Sequence, residues 1–169
     1  MSNSFLFWLI YVLICSGTIF GNFLYSWFIE KTRIYRPELD ANARASRLLF
    51  ERESADKIAF AVFYLFFYAV IVAPLIEEFI FREWILGSWL GAGFWIAAVL
   101  SSFIWAVLHI DWYVIPYIFV TGLVLAYIWV IYGLIWCVLF HVTNNAIAVF
   151  WGLYKELHRI SEKETIAIF

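Results

Sequence analysis

The sequence has little charge. Only 14% of its 169 residues are Asp, Glu, Lys or Arg, against about 25% in soluble globular domains, while 66% are hydrophobic and the mean hydropathy is +0.89. Too few polar side chains remain to cover a folded surface in water. This shortage excludes an ordinary water-soluble domain and predicts an integral membrane protein.

The sequence also has few cysteines and no excess of positive charge. The two cysteines, Cys15 and Cys137, lie far apart in apolar runs. They therefore form no disulfide framework and no metal-binding or redox pair, and are predicted to be small buried hydrophobic residues. The formal net charge of −2 gives no reason to expect a nucleic-acid partner.

Long apolar runs alternate with charged segments, which predicts an all-α fold, a multi-pass transmembrane helix bundle of about five spans. The first run lacks the basic start and the cleavage site of a signal peptide, so it is interpreted as a retained span. The predicted segments are 1–29, a first transmembrane helix; 30–57, a charged cytoplasmic or interfacial helix or connector; 58–154, a four-helix core; and 155–169, a cytoplasmic tail. Gly, Pro and Asp residues divide the core into helices near 58–86, 94–110, 113–131 and 134–154.

The charges outside the spans predict an orientation. Seven Lys and Arg residues lie in 30–57 and three in 155–169. The positive-inside rule places both segments in the cytoplasm and hence the N-terminus outside. Within the first span, Gly17 and Gly21 form a G-x-x-x-G spacing, which predicts the close approach of another helix.

Two adjacent carboxylates lie within the apolar core. Glu78 and Arg82 are four residues apart, a spacing that predicts an ion pair on one helix face. Glu77 points about 100° away from that pair, which makes it the candidate general base of the two carboxylates. Charged residues within a span indicate a functional site, and carboxylates at a helix end in the membrane interface are the alternative interpretation.

Two histidines and an asparagine complete the polar set. His109 lies at a predicted helix end beside Asp111, which by itself is more typical of an interfacial hydrogen-bonding residue. His141 and Asn145 are four residues apart and project from one helix face, as donors to an oxyanion or as a polar clamp between helices. Together with the carboxylates they make up the set of residue types that a site for water activation needs.

These motifs resemble the CPBP family of intramembrane endopeptidases, also called Abi proteins, which includes the type II CAAX prenyl protease. The family pattern is E-E-x-x-x-R, then F-x-x-x-H, then H-x-x-x-N. The matching residues, within a resemblance that covers roughly 58 to 150, are Glu77-Glu78-x-x-x-Arg82, Trp105-x-x-x-His109 and His141-x-x-x-Asn145. Two positions depart from the pattern: Trp105 replaces the usual phenylalanine, and Glu83 replaces the usual glycine after the arginine.

The resemblance implies a metal-independent, glutamic-type intramembrane endopeptidase in a prokaryotic cell membrane, with no cofactor. Its expected partners are membrane lipid and a membrane-associated or lipidated protein or peptide substrate. The implied roles are water activation by Glu77 with His109, oxyanion stabilisation by His141 and Asn145, and support by Glu78 and Arg82.

Two other functions stay open. The histidines and a glutamate are potential zinc ligands, although the H-E-x-x-H spacing of zinc proteases is missing. A non-catalytic membrane immunity or binding protein would use the same polar cluster to hold helices together. A transporter has less support, because the sequence lacks inverted repeats.

Depth along the helices presents a problem. A straight helix entering the membrane at residue 58 carries Glu77 about 28 Å towards the outer face, whereas His109 falls near the inner end of the next span. The two residues meet only if the first helix begins in the cytosol, if residues 84–93 fold back, or if the breaks near Asp111 and Pro116 lie within the membrane. We therefore expect a water-accessible cavity at intermediate depth.

Overall fold

The structure, a computed structural model, describes residues 3–32, 54–109 and 112–167. Two π-helical segments, Phe67–Val72 and Phe79–Leu86, and a 3-10 turn, Leu90–Ala92, join consecutive helices into one long helical run. The helices are α1 (Asn3–Lys31), α2 (Ala55–Phe66), α3 (Ala73–Glu78), α4 (Gly87–Trp89), α5 (Phe94–Leu108), α6 (Ile115–Tyr132) and α7 (Leu134–Ala167). The all-α prediction is confirmed, and these ranges contain no strand. Most of the charged segment 30–57 lies outside them.

Among the described residues, four helical segments are long and apolar enough to cross a bilayer. They are Phe5–Ile29, Asp56–Ala92, Ile115–Tyr132 and Leu134–Arg159. The fifth, α5, has 15 residues and a length of about 22 Å, short of the roughly 30 Å of a hydrocarbon core. The helix count of the sequence prediction is confirmed, and the chain is a membrane protein.

Glycine ends two of the helices, as the sequence predicts. Gly93 and Gly133 have φ angles of 105° and 87°, a backbone conformation that side chains with a Cβ rarely adopt. Gly93 separates the long helical run from α5, and Gly133 separates α6 from α7. The predicted helix end at 154 is wrong, because no Gly or Pro follows in 155–167 and an Arg159–Glu156 ion pair supports the helix.

The chain divides into two compact units, whose boundaries within the described residues fall after Pro74 and after Phe140. The first unit comprises 1–36 and 75–140, and the second comprises 37–74 and 141–169. Buried side chains from the second π-helical segment and from α5, α6 and α7 form the core of the first unit. They are Phe81, Trp105, Ala106, Ile118, Leu125, Ile128, Cys137 and Phe140.

Small residues bring α5 and α6 close together in the first unit. Ser101 and Ser102 on α5 and Thr121 and Gly122 on α6 are buried. A Cβ on Gly122 would lie 2.8 Å from the Cβ of Ser102, so only glycine fits at this position. Such interfaces are typical of membrane helices, which gain stability from close packing.

The first helix contacts the same unit through its tyrosines. Tyr11 donates to the carbonyl of Trp136 at 3.3 Å, and Tyr25 donates to the carbonyl of Tyr113. The predicted close approach at Gly17 and Gly21 is wrong within the described residues, since a Cβ on either would have no neighbour within 4 Å. Both glycines instead line an apolar cavity of about 540 Å³ between α1 and α6.

The helical run through Ala92 excludes one of the three geometries considered from the sequence. Residues 84–92 do not fold back, because they continue the helix that carries Glu77. Glu77 lies about 22 Å before the turn at Gly93, and Trp105 on α5 lies about 16 Å after the turn. The two helices therefore carry these residues to similar distances from the turn, and the two side chains meet.

Candidate active site

The predicted site residues belong to both units. The first unit contains the carboxylate motif, Trp105 and His109, and the second contains His141 and Asn145. The carboxylate motif crosses from α3 into a π-helical segment, a distortion that is often found at functional sites.

Glu78 and Arg82 form the predicted ion pair. Both side chains are fully buried, and Arg82 Nε donates to Glu78 Oε2 at 3.1 Å. Cys137 on α7 places its thiol 2.8 Å from the same oxygen. The two terminal nitrogens of Arg82 have no hydrogen-bond partner among the described residues, and its guanidinium carbon lies 5.2 Å from the centre of the Trp105 ring. The buried charge of Glu78 is thus compensated by a cation and a thiol donor.

Glu77 is held by a different helix. The indole nitrogen of Trp105 donates to Glu77 Oε2 at 2.7 Å, a short bond for a nitrogen donor. Trp105 is buried, with 3% of its surface exposed, while Glu77 is only partly buried. The sequence interpretation placed Glu77 outside the ion pair and foresaw no donor for it. The structure corrects this, because an aromatic N–H group from α5 fixes its carboxylate.

His109 follows Trp105 by one helical turn and caps the end of α5. Its Nδ1 lies 2.9 Å from the backbone oxygen of Trp105, and the two rings meet edge to face with centres 5.1 Å apart. A carbonyl oxygen only accepts, so Nδ1 carries the proton and Nε2 is the acceptor of the neutral ring. The His109 side chain is exposed, which leaves this nitrogen accessible. Asp111, which the sequence placed beside it, lies outside the described residues.

Glu83, which replaces the usual glycine of the family pattern, is also bound by a tryptophan. Glu83 is exposed, and its carboxylate accepts a hydrogen bond from the indole nitrogen of Trp129 on α6 at 3.0 Å. Two carboxylates of the same helical run are therefore bound by tryptophan N–H groups, Glu77 from α5 and Glu83 from α6.

His141, Asn144 and Asn145 lie in the second unit, on the part of α7 that follows Phe140. His141 and Asn144 are buried, and Asn145 is partly buried. Asn145 donates through Nδ2 to the backbone oxygen of Ala69 at 2.8 Å. Ala69 belongs to the first π-helical segment, where a side chain can bond to a main-chain carbonyl. An amide nitrogen carries two protons, so this bond occupies one of them.

No three His, Cys, Asp or Glu side chains form a metal-binding group within residues 3–32, 54–109 and 112–167.

Sequence reasoning missed two contacts at the carboxylate motif. Cys137 was interpreted as a small hydrophobic residue, although it precedes His141 by one helical turn. Trp105 was noted as a departure from phenylalanine, and an indole N–H is the donor that phenylalanine lacks. These two signals were present in the sequence, but the partner of each residue was not.

The fold and the site together define a class: a helical membrane protein with carboxylate, arginine and histidine side chains inside its apolar helices. Residues 59–147 match the family described as type II CAAX prenyl endopeptidase Rce1-like. This match covers more than half of the chain, and the chain belongs to that family.

One relative is the membrane-embedded CAAX protease MroQ of Staphylococcus aureus (strain USA300). It is 39% identical over an alignment of 72 residues, and the alignment covers 37% of this chain and 29% of the relative. The chain thus matches less than a third of that protein's length. No solved structure matches the chain.

Proposed function

We propose that this protein is an intramembrane endopeptidase of the CAAX protease type, which hydrolyses a peptide bond in a membrane-associated protein or peptide. Family membership and the likeness to a relative named as a membrane-embedded CAAX protease support the reaction class. The observation that carries the assignment of residues is the bond from Trp105 to Glu77, because Trp105 lies one helical turn before His109 and also contacts that histidine.

Glu77 is the proposed base. Assisted by His109, its carboxylate takes a proton from water as the water oxygen attacks the carbonyl carbon of the substrate. The negative charge that develops on the carbonyl oxygen requires aimed donors, the role assigned to His141 and Asn145 by the family resemblance. The proton then passes to the leaving nitrogen as the peptide bond breaks.

Glu78 and Arg82 have a supporting role in the proposed reaction. Their buried ion pair compensates the charge of Glu78, and the adjacent Glu77, which is outside that pair, is the carboxylate proposed to react. The arginine also packs against the Trp105 ring, so the pair and the proposed base share one aromatic neighbour. We propose that no metal ion or cofactor takes part.

The substrate class follows from the setting. Apolar helices exposed to lipid favour a substrate that is itself held in the membrane, such as a prenylated C-terminal peptide, a membrane-anchored peptide or a sorting signal. We further propose a prokaryotic cell membrane with the N-terminus outside and the C-terminus in the cytoplasm, from the distribution of Lys and Arg. Nucleic acid is not an expected partner.

The decisive experiment compares Glu77→Gln with Glu83→Gln. Both changes remove one carboxylate of the same helical run that accepts a bond from a tryptophan. Each variant is expressed in cells that lack the native gene, and the termini of membrane polypeptides are compared by mass spectrometry. We expect the Glu77 variant to lose processing of at least one polypeptide by about 10²–10⁴-fold, and the Glu83 variant to retain it.

Two outcomes would favour the other functions. If the correctly inserted Glu77→Gln protein keeps its full biological effect, the chain is a non-catalytic binding or immunity protein. If purified protein loses hydrolysis in a strong chelator and contains stoichiometric zinc, the reaction depends on metal. The proposal expects chelator-resistant hydrolysis.

A further inference from the structure

Trp105 connects the residues that the proposed function assigns to water activation. Its indole nitrogen bonds to Glu77 Oε2, 28 positions away in the sequence and on a different helix. Its backbone oxygen binds His109 Nδ1, and its ring packs edge to face on the same imidazole. Trp105 therefore contacts both Glu77, the proposed base, and His109, which is proposed to assist it.

The orientation of the Trp105 ring is fixed from two sides. Arg82 lies over one part of the ring, with its guanidinium carbon 5.2 Å from the ring centre. Gly122 of α6 approaches another part so closely that a Cβ there would lie 3.1 Å from Cε3 of the indole. Because the ring is buried and confined, the direction of its N–H group is set before any substrate binds.

A fixed N–H donor orients the carboxylate that it binds. The bond from the indole to Glu77 Oε2 restricts rotation of the carboxylate and so narrows the directions in which the lone pairs on Oε1 point. Misplacement of a reacting group by about 1 Å can reduce a rate by about 100-fold. Within the Trp105 side chain, the N–H group is the donor to Glu77. The contacts of the ring with Arg82 and His109 do not need a donor, so any aromatic ring could make them.

We propose that Trp105 is a positioning residue, which holds Glu77 in the orientation required to take a proton from water. This inference rests on the proposed function for its catalytic consequence. The hydrogen bond itself is a separate, physical claim.

The test replaces the indole while keeping an aromatic ring. Trp105→Phe retains a ring beside Arg82 and His109 but removes the N–H donor. In vesicles containing purified protein and the polypeptide identified by the terminus comparison, we expect kcat to fall about 10- to 100-fold while KM changes less than about twofold. Trp129→Phe is the matched control, because it removes an indole donor to Glu83, and its kcat should equal that of the native protein.

A second variant separates the N–H group from the shape of the ring. Benzothienylalanine, introduced at position 105 by codon suppression, has a sulfur in place of the indole nitrogen and nearly the same outline. It should lose as much kcat as the phenylalanine variant. Full kcat in this variant, or a loss confined to KM, would overturn the proposal.

A spectroscopic measurement tests the bond without any substrate. Ultraviolet resonance Raman bands of indole report the strength of N–H hydrogen bonding, and subtraction of the Trp105→Phe spectrum isolates this residue. Glu77→Gln should shift the isolated band towards a weaker bond, because the charged acceptor becomes neutral. If the band shifts but the native protein shows no proteolysis, the hydrogen bond to Glu77 is supported and the proposed function is refuted. If the band does not change, the positioning role of Trp105 is refuted.

Discussion

The contact between α5 and α6 gives a prediction that links packing to the proposed chemistry. Gly122→Ala would place a methyl carbon 2.8 Å from Ser102 Cβ, 3.0 Å from its Oγ and 3.1 Å from Trp105 Cε3. Carbon atoms in good contact lie about 3.5–4.0 Å apart, so the helices must separate by about 0.7 Å or more. Overpacking of this kind costs about 1–3 kcal/mol of unfolding free energy.

The same displacement should reach Glu77. Its bond from Trp105 is 2.7 Å long, and a change of about 0.7 Å in that length, in either direction, takes it outside the range of about 2.7–3.2 Å in which such bonds form. We therefore expect Gly122→Ala to lower both stability and proteolytic rate. Stability is measured by unfolding in mixed micelles with increasing dodecyl sulfate, and the rate by cleavage in vesicles.

Two further variants serve as a control and as a compensating change for Gly122→Ala. Gly152→Ala adds the same methyl group to a helix at a position with no neighbour within 4 Å, and should be neutral or stabilising by up to about 1 kcal/mol. Ser102→Gly removes the two atoms nearest to the new methyl, so the double variant with Gly122→Ala should be more stable than the two single effects predict. A Gly122→Ala protein with native stability and rate would refute the reasoning.

Further predictions concern the buried ion pair and the amide of the second unit. Arg82→Met leaves the Glu78 carboxylate buried without its cation and should cost about 3–5 kcal/mol in the same unfolding assay, whereas adding Glu78→Gln should recover much of the loss. A double variant no more stable than Arg82→Met would contradict this account. Asn145→Ala removes a 2.8 Å bond to a backbone carbonyl and should cost about 0.6–2 kcal/mol. If Asn145 also binds the oxyanion, kcat falls about 10²–10³-fold; a loss of stability alone would limit it to a structural role.

Features that depend on neighbouring residues were accessible from the sequence. The Glu78–Arg82 pair follows from the helical repeat, and Gly93 and Gly133 end helices because their backbone angles suit glycine. The same local reasoning failed for the end of α7, since charged residues after 154 were assumed to mark the end of a helix that they in fact continue. Charge indicates where a helix leaves an apolar environment, which need not be where the helix ends.

Features that depend on which helices meet required the tertiary structure. The G-x-x-x-G spacing of the first helix predicted a close contact, yet its glycines line a cavity, while Gly122, with no such motif, permits the closest approach. A small residue allows close packing, but whether a neighbour occupies the space depends on how the helices are arranged.

The shortage of charge in the sequence was enough to show that this protein lies in a membrane and that its helices contain few polar residues. The spacing of Glu78 and Arg82 was enough to predict their ion pair. These properties follow from hydrophobic burial and from the helical repeat, which act along the chain. The tertiary structure alone decided that the carboxylate of Glu77 is held by an indole from another helix. A hydrogen bond has a reach of about 3 Å, and only folding brings side chains 28 positions apart within that distance.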